Sequence, residues 1–180
     1  AGADPYALNA DTRTDPDADE NTVYTGESAT QPIRNGAIAN LSAKLLGLGA
    51  VPGSWINSSQ DLSLGSSGTV SHVIAISVDG LRPGDIDELG ADELPNLFRF
   101  RNEGAFTDNA RTDYFIKRTL PNHSSMLTGR GSLDVTGVGI GHNQEMNHDS
   151  GDTLHDNIGA YMHGIFDVAK DAGLRTALFP

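Results

Sequence analysis

The chain has 180 residues, no cysteine and a formal net charge of −12, which suffices for one domain of ordinary size and excludes disulfides and thiolate metal sites. Residues 1–70 carry three Lys/Arg against eight Asp/Glu, and residues 71–180 carry nine against sixteen, so the acidity is general. A field of that sign opposes binding to nucleic acid or to an anionic membrane, and an anionic substrate would need bound cations to reverse it locally.

In chain order, residues 1–30 read as an extended arm without periodicity. Asp15, Asp17 and Asp19 alternate as in a calcium loop, but Glu20 stands where Gly is needed and Gly26 where the bidentate Glu is needed. Ala1 is followed by small and acidic residues with no basic run, a start that also fits a chain after signal cleavage. Residues 37–51 are interrupted by Asn40 and Lys44 and are too short to span a bilayer.

Residues 36–50 predict a short helix from the spacing of Ile38, Leu41, Leu45 and Leu48. Residues 52–70 read as a Gly/Ser-rich linker with Trp55 as a packing anchor, so residues 1–70 read as an N-terminal extension and residues 71–180 as the first part of a folded domain. The β-branched run from His72 to Val78 predicts a strand buried on both faces of a parallel sheet. Leu94 to Glu103 predicts a helix with Pro95 in its first turn and Gly104 in a left-handed closing position. A second strand is expected from Ala105 onward. Residues 164–172 predict an amphipathic helix stopped by Gly173, and residues 174–179 another buried strand. The alternation implies an α/β fold, a mostly parallel sheet flanked by helices.

Two positions invite chemistry. Asp79 would sit at the carboxyl end of a parallel strand, where α/β sheets place ligands, though Asp79-Gly80 is also an ordinary turn dipeptide. Thr119 would lie at the N-terminal mouth of a helix running from Asn122 to Gly129, where unpaired N–H groups favour an anion such as phosphate. A divalent cation can activate its hydroxyl, and Asn122 could donate to a phosphoryl oxygen. Read without a family, Thr119 or Asn122 is better explained as a helix N-cap.

Taken together, Val78-Asp79-Gly80-Leu81-Arg82, Leu94-Pro95-Asn96-Leu97, Thr119-Leu-Pro121-Asn122-His123 and Leu127-Thr128-Gly129 resemble the type I phosphodiesterase/nucleotide pyrophosphatase branch of the alkaline-phosphatase superfamily. Residues 165–176 are similar to the helix and strand that commonly follow. The resemblance implies an alkaline-phosphatase-like fold and two zinc ions. It makes Asp79 a metal ligand, Thr119 the metal-bound nucleophile and Asn122 the residue stabilising the transferred phosphoryl group. The expected partner is a small phosphodiester or nucleotide substrate, with an extracellular or periplasmic location. Most of the family's Asp and His metal ligands are expected after Pro180, so the fold and site are expected to be incomplete here and the 180-residue chain inactive by itself.

Other motifs carry less. Gly137-x-Gly139-x-Gly141 lacks dinucleotide-fingerprint spacing, and His142, Glu145 and His148 do not form H-E-x-x-H. His155 and His163 read as surface or packing residues, and His123 as structural or as lining toward substrate. Asn40, Asn57 and Asn122 begin glycosylation sequons. A sulfatase-like hydrolase would need Cys or Ser at position 119, which threonine cannot replace as the precursor of formylglycine. A phosphomonoesterase of the same superfamily and a noncatalytic acidic binding module complete the alternatives.

Overall fold

A computed structural model describes residues 33–60, 70–107, 110–112, 116–132 and 153–179. Six helices follow in order: α1 (Ala37–Leu45), α2 (Pro83–Glu93), α3 (Pro95–Glu103), α4 (Thr119–Thr128), α5 (Leu154–Ile158) and α6 (Ile165–Asp171). α1 packs on α4 and α6, α4 packs on α6, and α2 packs on α3.

The expected sheet is overturned. Among the described residues the only β pairing is an isolated parallel bridge between Arg34 and Arg111. Residues 72–78 form no ladder, and Ile74 and Ile76 are 84% and 80% exposed. Residues 174–179 are likewise unpaired, with Phe179 90% exposed, and the strand expected from Ala105 onward is reduced to the Arg111 bridge. The physical reason is that a strand is completed by its neighbours. A β-branched run supplies side chains suited to a buried sheet, but backbone N–H and C=O groups are satisfied only by an adjacent strand, and none lies beside these runs among the described residues.

The helices follow their local sequences more closely. α1 falls within the predicted 36–50 segment, α3 matches the predicted span, and α6 runs to Asp171 as expected. α4 begins at Thr119, three residues earlier than anticipated. Two helices went unread. α2 is polar, shows no apolar stripe and is broken at Gly90 (φ 72°), while α5 is a single turn. Gly104 is a further correction, because it is extended (φ −110°) and not left-handed. Glycine is needed there because a Cβ would stand 2.8 Å from the Phe100 carbonyl oxygen.

The core between α1, α4 and α6 is made of small and polar residues. Ala37, Ala39, Ala43, Val51, Ile56, Met162 and Ala169 are its buried apolar members. Asn40, fully buried, organises the centre. Its Nδ2 donates to Ser54 Oγ (2.9 Å) and the Ile56 carbonyl (2.7 Å), while its Oδ1 accepts from the Val51 N–H (2.8 Å). An asparagine with both ends engaged can be buried without leaving a polar group unsatisfied.

Candidate functional site

α4 carries the predicted nucleophile on its first turn. Arg118, extended at φ −118° and ψ 158°, is the N-cap residue and makes no side-chain capping bond. Thr119 and Asn122 are therefore not helix caps. Pro121 has no N–H to lose in a first turn, where the N–H groups lack intrahelical acceptors. The Asn122 N–H bonds the Arg118 carbonyl (3.2 Å), which leaves Thr119 and Leu120 as the first-turn amides without an acceptor in the helix.

The far end of α4 is anchored by backbone. Gly129 closes it in the left-handed conformation (φ 68°), and its carbonyl accepts from both Trp55 and Ile56 N–H (3.1 and 2.9 Å). Along the buried face, Ser125 Oγ donates to the Pro121 carbonyl and Thr128 Oγ1 to the Ser124 carbonyl. These hydroxyls are satisfied within their own helix, so α4 can press a polar face against α1.

The Asp79 segment meets the open end of α4. Thr119 Oγ1 donates to Asp79 Oδ2 at 2.9 Å, and both residues are exposed. Gly80 follows at φ 76°, a left-handed turn directly after the carboxylate. Ser77 and His123 form a second bridge, with Ser77 Oγ and His123 Nε2 3.0 Å apart and His123 Nδ1 2.9 Å from the Thr119 carbonyl oxygen.

Asn122 lies in the same motif but faces inward and is buried. Its Nδ2 donates to the Ile116 and Arg118 carbonyls (3.0 and 2.8 Å), and its Oδ1 accepts from Asn35 Nδ2 (2.8 Å). In this arrangement Asn122 braces the turn that leads into Thr119. Asn35 went unread in the sequence. Its N–H bonds the Arg111 carbonyl at the isolated bridge, and no local pattern marks that long-range role. Ser77 was also missed, although it precedes Asp79 by two residues, the spacing that places side chains on one side of an extended run.

The Asp79–Thr119 pair suits part of a cation's shell. Both donors are hard oxygens, and metal–oxygen distances of about 2.0–2.2 Å place neighbouring ligand oxygens roughly 3 Å apart. Among the described residues no group of three His, Asp or Glu converges as a metal site. His142, Glu145 and His148 lie outside the described residues, as do Asp15, Asp17 and Asp19. The sequon residues Asn40, Asn57 and Asn122 are all buried, which removes them as surface acceptors.

A second polar cluster closes the α5–α6 corner. His155 stacks on Tyr161 (4.4 Å between ring centres), and its Nδ1 accepts from the Met162 N–H (2.8 Å). Tyr161 donates to Asp167 (2.8 Å), whose other oxygen accepts from Gly164 N–H. Burial pushes the Asp167 carboxyl up, but the bonds from Gly164 and Tyr161 outweigh it and hold it below the usual range. The same Asp167 bond raises the Tyr161 hydroxyl. Asp156 is lowered by the Thr153 N–H and hydroxyl, which it caps at the start of α5.

The family model for type I phosphodiesterase/nucleotide pyrophosphatase matches residues 73–177, which contain Asp79, Thr119 and helices α2 to α6. The chain belongs to this family. No curated protein and no solved structure matches it. Membership in the type I phosphodiesterase/nucleotide pyrophosphatase family indicates a hydrolase of phosphodiester or nucleotide pyrophosphate bonds, in a class that is generally metal-dependent and that a small nucleotide substrate fits. No helix among the described residues is long and apolar enough to cross a membrane.

Proposed function

We propose that the protein cleaves phosphodiester or pyrophosphate bonds in two steps, with Thr119 as the nucleophile. The observation that supports this most is the 2.9 Å bond from the Thr119 hydroxyl to the Asp79 carboxylate, at the open first turn of a helix. The first-turn amides and the positive end of the α4 dipole favour the phosphoryl group there. Thr119 Oγ1 attacks phosphorus opposite the leaving oxygen. A P–O bond forms to threonine, the bond to the leaving group breaks, the hydroxyl proton is lost to solvent, and the leaving oxygen takes up a proton from solvent. Water then attacks the phospho-threonine, regenerates Thr119 and releases the phosphate monoester.

Asp79 and Thr119 are the residues that would hold a divalent ion, zinc by the family resemblance, with a second ion held elsewhere. A cation bound at this pair would supply Lewis-acid charge that makes the threonine hydroxyl easier to ionise and offsets negative charge on the phosphoryl group. For Asn122 to donate to a phosphoryl oxygen in this reading, it must give up one of its two carbonyl bonds. Its present contacts orient the turn before Thr119.

In the full-length protein, Thr119→Ala is expected to abolish turnover of bis-p-nitrophenyl phosphate while leaving the far-UV circular dichroism unchanged. Retained turnover would remove Thr119 as nucleophile. A strong preference for p-nitrophenyl phosphate over the diester would instead favour a phosphomonoesterase.

A further inference from the structure

Asp79 and Thr119 are 40 residues apart in sequence, and among the described residues the segment carrying Asp79 belongs to no ladder. Among the described residues, two side-chain hydrogen bonds tie residues 71–82 to α4. One joins Asp79 to Thr119, the groups that react. The other joins Ser77 to His123. We propose that Ser77 and His123 are positioning residues, a clamp that sets the Asp79 carboxylate against the Thr119 hydroxyl. The proposal rests on Thr119 being the nucleophile.

The bonding pattern places the ring proton. The Thr119 carbonyl oxygen can only accept, so His123 Nδ1 carries the hydrogen of that 2.9 Å bond. In a neutral ring Nε2 is then an acceptor, to which the Ser77 hydroxyl donates across 3.0 Å. Both ring nitrogens are thereby engaged. The imidazole becomes a spacer between the backbone of Thr119 itself and the residue two before Asp79. Neither nitrogen is left to exchange a proton with substrate, which separates this role from general acid–base catalysis.

The spacing matters because proximity contributes most when reacting groups are held near their productive geometry, and small misplacements are costly. Among the described residues no ladder holds 71–82, so loss of the Ser77 bond leaves the Asp79–Thr119 bond as the one side-chain hydrogen bond from this segment to α4. A substrate that draws the threonine toward phosphorus would then break the remaining tie.

The test combines kinetics in the full-length protein with spectroscopy. With bis-p-nitrophenyl phosphate, Ser77→Ala is expected to lower kcat about tenfold, the worth of one well-placed hydrogen bond, with KM changed less than about twofold. Ser77→Thr, which keeps the hydroxyl, is expected to recover most of that loss. His123→Ala is expected to fall further, and the double variant Ser77→Ala/His123→Ala no further than His123→Ala. Wild-type kcat in Ser77→Ala, or additive losses in the double variant, would overturn the clamp. Thr119→Ala separates the two levels: turnover surviving there fells the nucleophile and the clamp with it, whereas abolished turnover beside a silent Ser77→Ala fells the clamp only. Long-range 15N–1H spectra of labelled histidine read the ring directly and do not depend on how the variants fold. A His123 proton on Nδ1 supports the clamp, and a neutral ring protonated on Nε2 refutes it.

Discussion

α1 and α3 are both nine residues long, and they end in opposite situations. α1 buries Ala37, Ala39, Asn40, Ser42 and Ala43, while α3 buries none of its residues, although it carries Leu97, Phe98 and Phe100. The larger apolar side chains are thus outside and the small ones inside. α1 touches α4 closely enough that a Cβ on Gly129 would stand 3.0 Å from Asn40 Nδ2 and 3.6 Å from the Ala39 Cβ. Only small residues permit that approach, and the hydrogen bonds of Asn40 fill the space they leave. α3 is instead held to α2 by surface chemistry. Arg101 bonds Asp87 at 2.7 Å and lies over the rings of Phe98 and Phe106. Between these two helices, burial therefore follows the geometry of backbone approach more than the size of the apolar side chain.

That contrast is broken most sharply at Asn40. Asn40→Ala strands the Val51 N–H and the Ile56 carbonyl in the core, at about 1–3 kcal/mol for each unsatisfied buried group. The unfolding midpoint in urea should drop accordingly, and a loss below about 1 kcal/mol would mean that the polar centre does not hold α1 to α4. Gly129→Ala comes next. It meets a left-handed φ and a Cβ position 2.9 Å from the Ser54 Cβ, for an expected loss of about 1–2 kcal/mol in the same measurement.

Acidification sharpens the comparison at a smaller scale. Asp85, Asp156 and Asp167 are all held below the usual carboxylate range, by the Arg82 side chain, by the Thr153 N–H and hydroxyl, and by the Gly164 and Tyr161 bonds respectively. A lowered folded-state value means that the unfolded chain binds the proton more readily. The stabilisation is therefore fully present above the ordinary aspartate value of about 3.9 and is lost as pH falls below it through the lowered folded-state values. The N-termini of α2, α5 and α6 should lose amide protection as pH falls below about 4, ahead of α1 and α4, which have no acidic residue in their first turns. Hydrogen exchange with residue resolution would show this order, and equal loss across all helices would contradict it.

The smallest effects belong on the exposed pair. Arg99→Ala removes a solvent-exposed link to Glu103, and the midpoint should move by no more than about 0.5 kcal/mol. A larger shift would show that α3 is held by more than surface chemistry.

The chemical blocks were legible as a line of text because their meaning lies in residue type and order. Asp79-Gly80 and Thr119-Leu-Pro121-Asn122 name a carboxylate, a turn, a hydroxyl and a helix start without reference to any other segment. Helices α1, α3, α4 and α6 were legible for a related reason, since their hydrogen bonds close within four residues and their caps are local. α2 was hidden because its polar face follows no apolar period, and α5 because one turn is too short to show one.

What the sequence by itself determined is the family motif that carries Asp79, Thr119 and Asn122 and the placement of most helices. Only the tertiary structure decided which of those groups meet. It brought Asp79 to Thr119, set His123 between Thr119 and Ser77, and turned Asn122 inward onto Ile116, Arg118 and Asn35. Among the described residues it also left 72–78 and 174–179 without a partner strand, against their β-branched and apolar character. The physical reason is common to both outcomes. A helix satisfies its backbone from its own neighbours in sequence, whereas a strand, a clamp or a reacting pair is completed by groups that the chain brings in from far away.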